Sequence, residues 1–324
     1  MSKSFESLLE KSKHAMIIGI GGGGDVVGTI PTSRYLRWLE IPTIIGGLTW
    51  ERYVNDPEPG PRKMEEIVEI ERLSPTVGLA SGKTRTTKGI VFTESAVAEF
   101  LKERTVLVDL NKGVQGIIDG LDEANEKLGV DLFIGIDVGG DVLGEGPEEG
   151  LHSMLADSMM LSAMANLEVP SVLGVLGCCC DGELILEEFS RQLAKIAAHG
   201  GLLGARGLTL EDVAVLEEVI PHTKTEASAL AVKAARGFRG DIAIRGGYRT
   251  VALTSMSALT FYFDTNVVFD HISRVAKDLV PTRSLEEAQA VLERANLPSE
   301  LAFERSYTWK RYIENDKLFD KGRK

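Results

Sequence analysis

IIGIGGGGDVVGT, residues 17–29, decides the reading of the fold. It opens as a short apolar strand pattern, turns through the glycines 21–24, and passes Asp25 into a helical pattern. A strand that runs through a glycine turn into a helix is the opening unit of a parallel sheet. The same order of apolar run, glycine and acid recurs in TIIGGLTWER at 43–52, VLVDLNKG at 106–113, LFIGIDVGGDVLGEG at 132–146 and VLGVLGCCCDGE at 172–183. In an open parallel sheet the ligand crevice lies outside the carboxyl ends of the strands, so these acidic tails are expected to converge.

Apolar runs of strand length at 15–20, 41–46, 105–109, 131–137 and 171–176 alternate with helical patterns at about 29–39, 95–103, 114–128, 153–166 and 184–198. That alternation predicts an α/β fold: a Rossmann-like, doubly wound, mostly parallel sheet with helices on both faces. Right-handed crossovers restrict the topology and leave strand order open. The segment 53–65 is rich in Pro, Gly and charge, and 74–93 is polar and basic, so 53–93 is read as an excursion covering the site. Beyond residue 200, helical patterns at 209–218, 223–236 and 284–295 and strand-like stretches at 242–247 and 249–264 continue one α/β domain over 1–324. A C-terminal extension begins at about 265.

The chain has 324 residues, 44% hydrophobic and 26% charged, at globular averages. Its net charge of −12, with no basic stripe, argues against a nucleic-acid partner and for a small-molecule ligand. No long uncharged apolar run predicts a membrane span, and the amphipathic start MSKSFESLLEKSKHAM lacks a secretory core, so a cytoplasmic location is expected. Cys178, Cys179 and Cys180 are adjacent, which is neither a disulfide framework nor metal spacing. Tyr307, Trp309, Tyr312 and Phe319 are set to dock on the core or on a second subunit of a homo-oligomer.

Gly21, Gly22, Gly23 and Gly24 stand where backbone N–H groups approach an anion at a helix start. A dinucleotide site also needs an acid closing the second strand, and Glu51 comes late for that, which disfavours NAD(P) or FAD. A tight turn without ligand, with Asp25 as helix cap, is the structural alternative. Ala80-Ser-Gly-Lys-Thr84 ends like a phosphate-binding loop, but Gly78 and Gly82 enclose one residue too few. Lys83, Arg85 and Lys88 remain either a solvated loop or a clamp folding over the rim. Asn111, beside Lys112 and Gly113, is a further candidate for a substrate oxyanion.

Asp137 ends a buried-strand pattern, Asp141 follows a glycine pair, and Asp181 and Glu183 end the next strand. Carboxylates gathered on one rim repel unless a cation neutralises them or some stay protonated. Asp157, in the helical segment after Ser153, would add to that repulsion. Oxygen ligands favour Mg²⁺ or Mn²⁺, and the five histidines show no zinc spacing. The expected metal ligands are Asp25, Asp137, Asp141, Asp181 and Glu183, with Glu51 or Glu145 as general base.

GIGGGGDVVGT at 19–29, GGLTWER at 46–52, DLFIGIDVGGDVLGEG at 131–146, SMLADSMMLSA at 153–163 and CDGEL at 180–184 resemble the archaeal family catalogued as domain of unknown function 1152. That resemblance implies no settled reaction. At the level of architecture, the acid-rich rim resembles the glutamate-cyclase-like proteins, which implies a manganese or magnesium cavity and phosphatase chemistry. The expectation is a metal-dependent, phosphatase-like hydrolase acting on a small phosphorylated or anionic metabolite. Two alternatives remain: a nucleotide or metabolite binder without turnover, and a metal-assisted lyase or cyclase on a small acid.

Overall fold

A computed structural model describes residues 4–52, 55–223, 225–247 and 249–306. The C-terminal aromatics Tyr307, Trp309, Tyr312 and Phe319 lie outside the described residues. The five glycine-and-acid stretches form five parallel strands: β1 (Ala15–Gly19), β2 (Thr43–Leu48), β3 (Thr105–Val108), β4 (Leu132–Val138) and β5 (Ser171–Leu176). They lie in the order β5-β4-β1-β2-β3 at the centre of a nine-stranded sheet. The chain therefore leaves β1 in one direction for β2 and β3, then returns to the other side for β4 and β5. Strand order reverses between β1 and β4, and a crevice is expected where the chain diverges there.

Side chains alternate between the sheet's two faces with a period of two. Met16 and Ile18 belong to one core with Phe133, Leu173 and the helices Gly113–Leu128 and Met154–Met164. Ala15 and Ile17 belong to the other, with Ile134, Val172 and the helix Asp25–Trp38. Buried on both sides, these strands read as continuous apolar runs.

The sheet extends beyond the parallel strands at both edges. Leu259–Asp264 pairs antiparallel with β5, and Leu202–Gly207 pairs with it in turn, so the chain beyond residue 200 adds to the same sheet. At the other edge Val77–Ala80 pairs antiparallel with β3, and Glu71–Arg72 follows. This corrects the reading of 74–93 as a cover: Val77–Ala80 is fully buried inside the sheet. Residues 60–64 do lie at the carboxyl rim, where Arg62 N–H donates to Thr49 O and Met64 N–H donates to Asp109 Oδ2. Gly240–Ile244 and Arg249–Leu253 form a separate antiparallel hairpin. No helix among the described residues is long and apolar enough to cross a membrane.

Candidate metal centre

The switch point between β1 and β4 gathers acids from three elements. Asp25 is the first residue of the helix after β1, and Asp137 is the penultimate residue of β4. Asp157 is the fourth residue of the helix Met154–Met164, all eleven residues of which are buried. A carboxylate oxygen from each lies within 4.8 Å of the other two. Asp25 Oδ2 accepts from Gly21 N–H at 3.0 Å, and Asp137 Oδ2 accepts from Val142 N–H at 3.1 Å. Asp157 is 1% exposed, and neither of its carboxylate oxygens has a hydrogen-bond partner.

That arrangement is costly without a counter-charge, because a buried polar group without a partner costs about 1–3 kcal/mol and more when charged. Burial pushes the Asp157 carboxyl well above the ordinary range, and Asp137, Asp25 and Glu300 push it further. Burial, then the charges of Asp25 and Asp181, raise Asp137 in the same way. Asp25 is raised to about 7 by burial, against the opposing pull of the Gly21 N–H and Arg52.

A second group lies alongside, with oxygens of Asp141, Asp181 and Glu183 within 4.8 Å of one another. It is better satisfied. Glu183 Oε2 accepts from His152 and Ser153 N–H at 2.7 and 3.0 Å, and Asp181 Oδ1 accepts from Glu183 N–H at 3.1 Å. Ser153 Oγ contacts both Glu183 Oε1 at 2.7 Å and Asp141 Oδ2 at 3.0 Å. One hydroxyl has one proton to donate, so both contacts are satisfied when one of these carboxyls is protonated. Asp141 fits that role: burial raises it strongly, and Asp157, Asp137, Glu183 and Asp181 add to the effect. Asp181 is raised to about 7 by burial and Glu183, against the pull of Arg245 and Arg249. A hydrogen bond between Asp137 and Asp141 joins the two groups.

The first group fits a hard divalent cation. Oxygens within 4.8 Å of one another need only small shifts to meet an ion at about 2.1 Å. The glycines of the sequence pattern supply the room. A Cβ at Gly21 would lie 2.7 Å from Asp25 Oδ2 and 3.3 Å from both Asp157 oxygens. At Gly139, φ is +132° and a Cβ would lie 2.3 Å from the Asp181 carboxyl carbon. Gly21→Ala is accordingly expected to lower Mn²⁺ affinity by about tenfold or more, read by isothermal titration, because the new methyl occupies the ligand space. Unchanged affinity would remove the ion from this position.

Arg52 is the nearest cation. Its Nη2 donates to Gly21 O, its Nη1 stands 4.0 Å from Glu304 Oε1, and Nη1 is buried without a hydrogen-bond partner. Burial opposes its charge, but Glu300, Glu304, Asp157 and Asp25 outweigh burial and push its pKa up. Glu300 accepts from Leu155 and Ala156 N–H at 2.9 and 2.8 Å, capping the helix that carries Asp157. Glu304 accepts from Trp50 Nε1–H and Gly60 N–H. The helix Glu300–Arg305 therefore braces both Arg52 and the helix that carries Asp157.

Other expected residues stand elsewhere. Glu51 is buried and accepts from Thr93 N–H, Thr93 Oγ–H and Asn55 Nδ2–H, beside Glu94 and outside both acid groups. Burial raises its pKa. Glu145 is held by Lys195 at 2.8 Å and Gln192 at 2.8 Å, and the Lys195 hydrogen bond lowers its pKa. Neither stands free as a base over the triad. Asn111 Nδ2 donates to Asp109 Oδ1 at 2.7 Å and to Pro61 O at 3.2 Å, which closes a loop instead of facing the acids. In the glycine turn, Gly21 N–H is taken by Asp25 and Gly23 N–H by Trp50 O, which limits the expected anion cradle.

Lys83 lies at the wrong end of the sheet. Ala80 pairs with Thr105, the first residue of β3, so the turn that follows lies at the amino-terminal edge, opposite the acids. Its exposed side chain reads as part of a solvated loop.

Asp157 joins the centre as a ligand beyond the expected set, and Arg52, Glu94, Glu300 and Glu304 surround the acids without a sequence motif. For Asp157 a signal was present: MLADSMMLSAM is apolar around its circumference, and a carboxylate inside such a helix needs a reason. A family model described as "Protein of unknown function (DUF1152)" matches residues 16–308. Neither the curated proteins nor the solved structures contain a match to the chain.

Proposed function

The chain belongs to the family described as protein of unknown function (DUF1152), and from that premise, with no activity to inherit, we propose that it is a metal-dependent hydrolase acting on a small phosphorylated or anionic metabolite. The observation that carries the proposal is the Asp157 carboxylate, buried, unpartnered and flanked by Asp25 and Asp137. Those three residues hold Mn²⁺ or Mg²⁺. When bound, the cation neutralises the acids and polarises a phosphoryl oxygen.

Arg52, whose charge acts on Asp25 and Asp157, supplies positive potential for the incoming anion, and the Asp25–Trp38 helix adds the positive end of its dipole. Asp141, hydrogen-bonded to Asp137, carries a proton beside the centre. In the hydrolysis, water oxygen bonds to phosphorus, the ester P–O bond breaks, and the departing oxygen takes up a proton. The test is phosphate release from a panel of small phosphomonoesters, with Mn²⁺ and with EDTA. Release that needs Mn²⁺ and is lost in Asp137→Asn supports the proposal. Mn²⁺ binding without release from any ester would leave a metal-dependent binder, and release indifferent to EDTA would refute the metal's role.

A further inference from the structure

We propose that Arg245 and Arg249 form a second anion subsite, so that the substrate carries two anionic groups, one at the Asp25–Asp137–Asp157 centre and one at this hairpin. The inference rests on the functional reading above and names the substrate class within it. The hairpin formed by Gly240–Ile244 and Arg249–Leu253 lies against the rim: a Cβ at Gly182, between Asp181 and Glu183, would meet Val251 at 3.3 Å and Arg249 Cδ at 3.5 Å. It thereby brings two guanidinium groups to the edge of the acid site.

Both groups are loosely ion-paired with the same carboxylate oxygen. Arg249 Nη1 stands 3.6 Å from Glu183 Oε1, and Arg245 Nη2 stands 4.0 Å from the same oxygen. Arg249 Nη1 also donates to Asp181 O at 3.4 Å. Charge-assisted hydrogen bonds close to about 2.7–2.9 Å when both partners are free. Several pairs on the surface of this chain do: Arg37–Glu103 at 2.6 Å, Arg236–Glu217 at 2.7 Å and Arg305–Glu286 at 2.9 Å, whereas Arg52–Glu304 stays at 4.0 Å. The difference lies in Glu183, whose two oxygens are already taken by Ser153 Oγ–H and by the N–H groups of His152 and Ser153. Two guanidinium groups therefore share one oxygen that already accepts from Ser153 Oγ–H.

Charge and exposure agree with a ligand in that position. The Arg245 side chain is 38% exposed and open to solvent, and that of Arg249 is 10% exposed and fixed below it. Arg245 also holds φ at +52°, the left-handed region that a non-glycine residue rarely occupies, as the tip turns toward the rim. In a chain with a net charge of −12, two cations side by side over the one acid-rich rim are positioned for an anion from solution. A phosphate, with three peripheral oxygens, accepts two forks at once.

The test uses the full chain and two inorganic probes, diphosphate and orthophosphate, titrated calorimetrically in Mn²⁺ and in EDTA. Diphosphate is expected to bind about tenfold tighter than orthophosphate in Mn²⁺, the worth of one further charge-assisted contact. Arg245→Gln, a change at a side chain 38% exposed, should erase most of that preference. Arg249→Lys, which keeps the charge and loses the fork, should erase part of it. Equal binding of the two probes by the wild type, or a preference that survives Arg245→Gln, overturns the subsite. Failure of the wild type to bind Mn²⁺ falls on the metal reading instead, and a diphosphate preference in EDTA that vanishes in Arg245→Gln would keep the hairpin assignment without it.

Discussion

Asp157→Asn is expected to weaken Mn²⁺ binding by about a hundredfold or more while leaving the metal-free protein folded; outer-shell changes alone cost about 10–100-fold, and Asp157 is proposed as a direct ligand. The substitution keeps the shape of a side chain that makes no hydrogen bond now, so no existing hydrogen bond is lost. It also removes the charge that Asp25 and Asp137 repel. Titration calorimetry reads the affinity, and circular dichroism confirms the fold. Glu145→Gln is the control: that carboxylate is committed to Lys195 and Gln192, so Mn²⁺ affinity should stay within about twofold, the scatter expected of a surface change. Equal affinity of Asp157→Asn and wild type would leave the unpartnered carboxylate without a role.

Without metal, the protein is expected to lose stability as pH rises from about 4 through 7. Asp25 and Asp181 are raised from 3.8 to about 7, and Asp137, Asp141 and Asp157 are raised as well, all chiefly by burial. A carboxyl with a raised folded pKa binds its proton more tightly in the native state. Its contribution is complete below the unfolded value and is lost as pH climbs through the folded one. For Asp181, 8% exposed, the shift corresponds to about 4 kcal/mol, and because the acids share protons these effects do not add. Asp131 and Asp212, lowered by their hydrogen bonds against the effect of burial, act oppositely, and their contribution is lost as pH falls below about 4. Urea midpoints in EDTA should therefore be lower at pH 8 than at pH 5, and saturating Mn²⁺ should remove most of the difference. A midpoint in EDTA that is the same at both pH values would contradict the burial of these acids.

The glycine-and-acid grammar carried the fold because it reflects local physics. Each of the five stretches is a strand buried on both faces that ends in a turn needing room, and all five are parallel neighbours. Strand order was not legible, since nothing local distinguishes β2 from β4 as the neighbour of β1 on a given side. Val77–Ala80 escaped notice because VGLA is short, half of it small residues, and embedded in polar sequence. Lys83 was misplaced for the same reason: which rim a turn occupies depends on whether its strand runs parallel or antiparallel, and residue spacing does not record that. Glu145 resembles its neighbours in sequence, yet Lys195, fifty positions later, draws it away. Arg52, Glu300 and the hairpin arginines reach the acids through tertiary packing with no motif of their own.

The most direct test is anomalous diffraction from crystals soaked in Mn²⁺. An anomalous peak is expected between Asp25, Asp137 and Asp157, beside Gly21. Density at that position without an anomalous signal, or manganese found only at surface carboxylates, would contradict it.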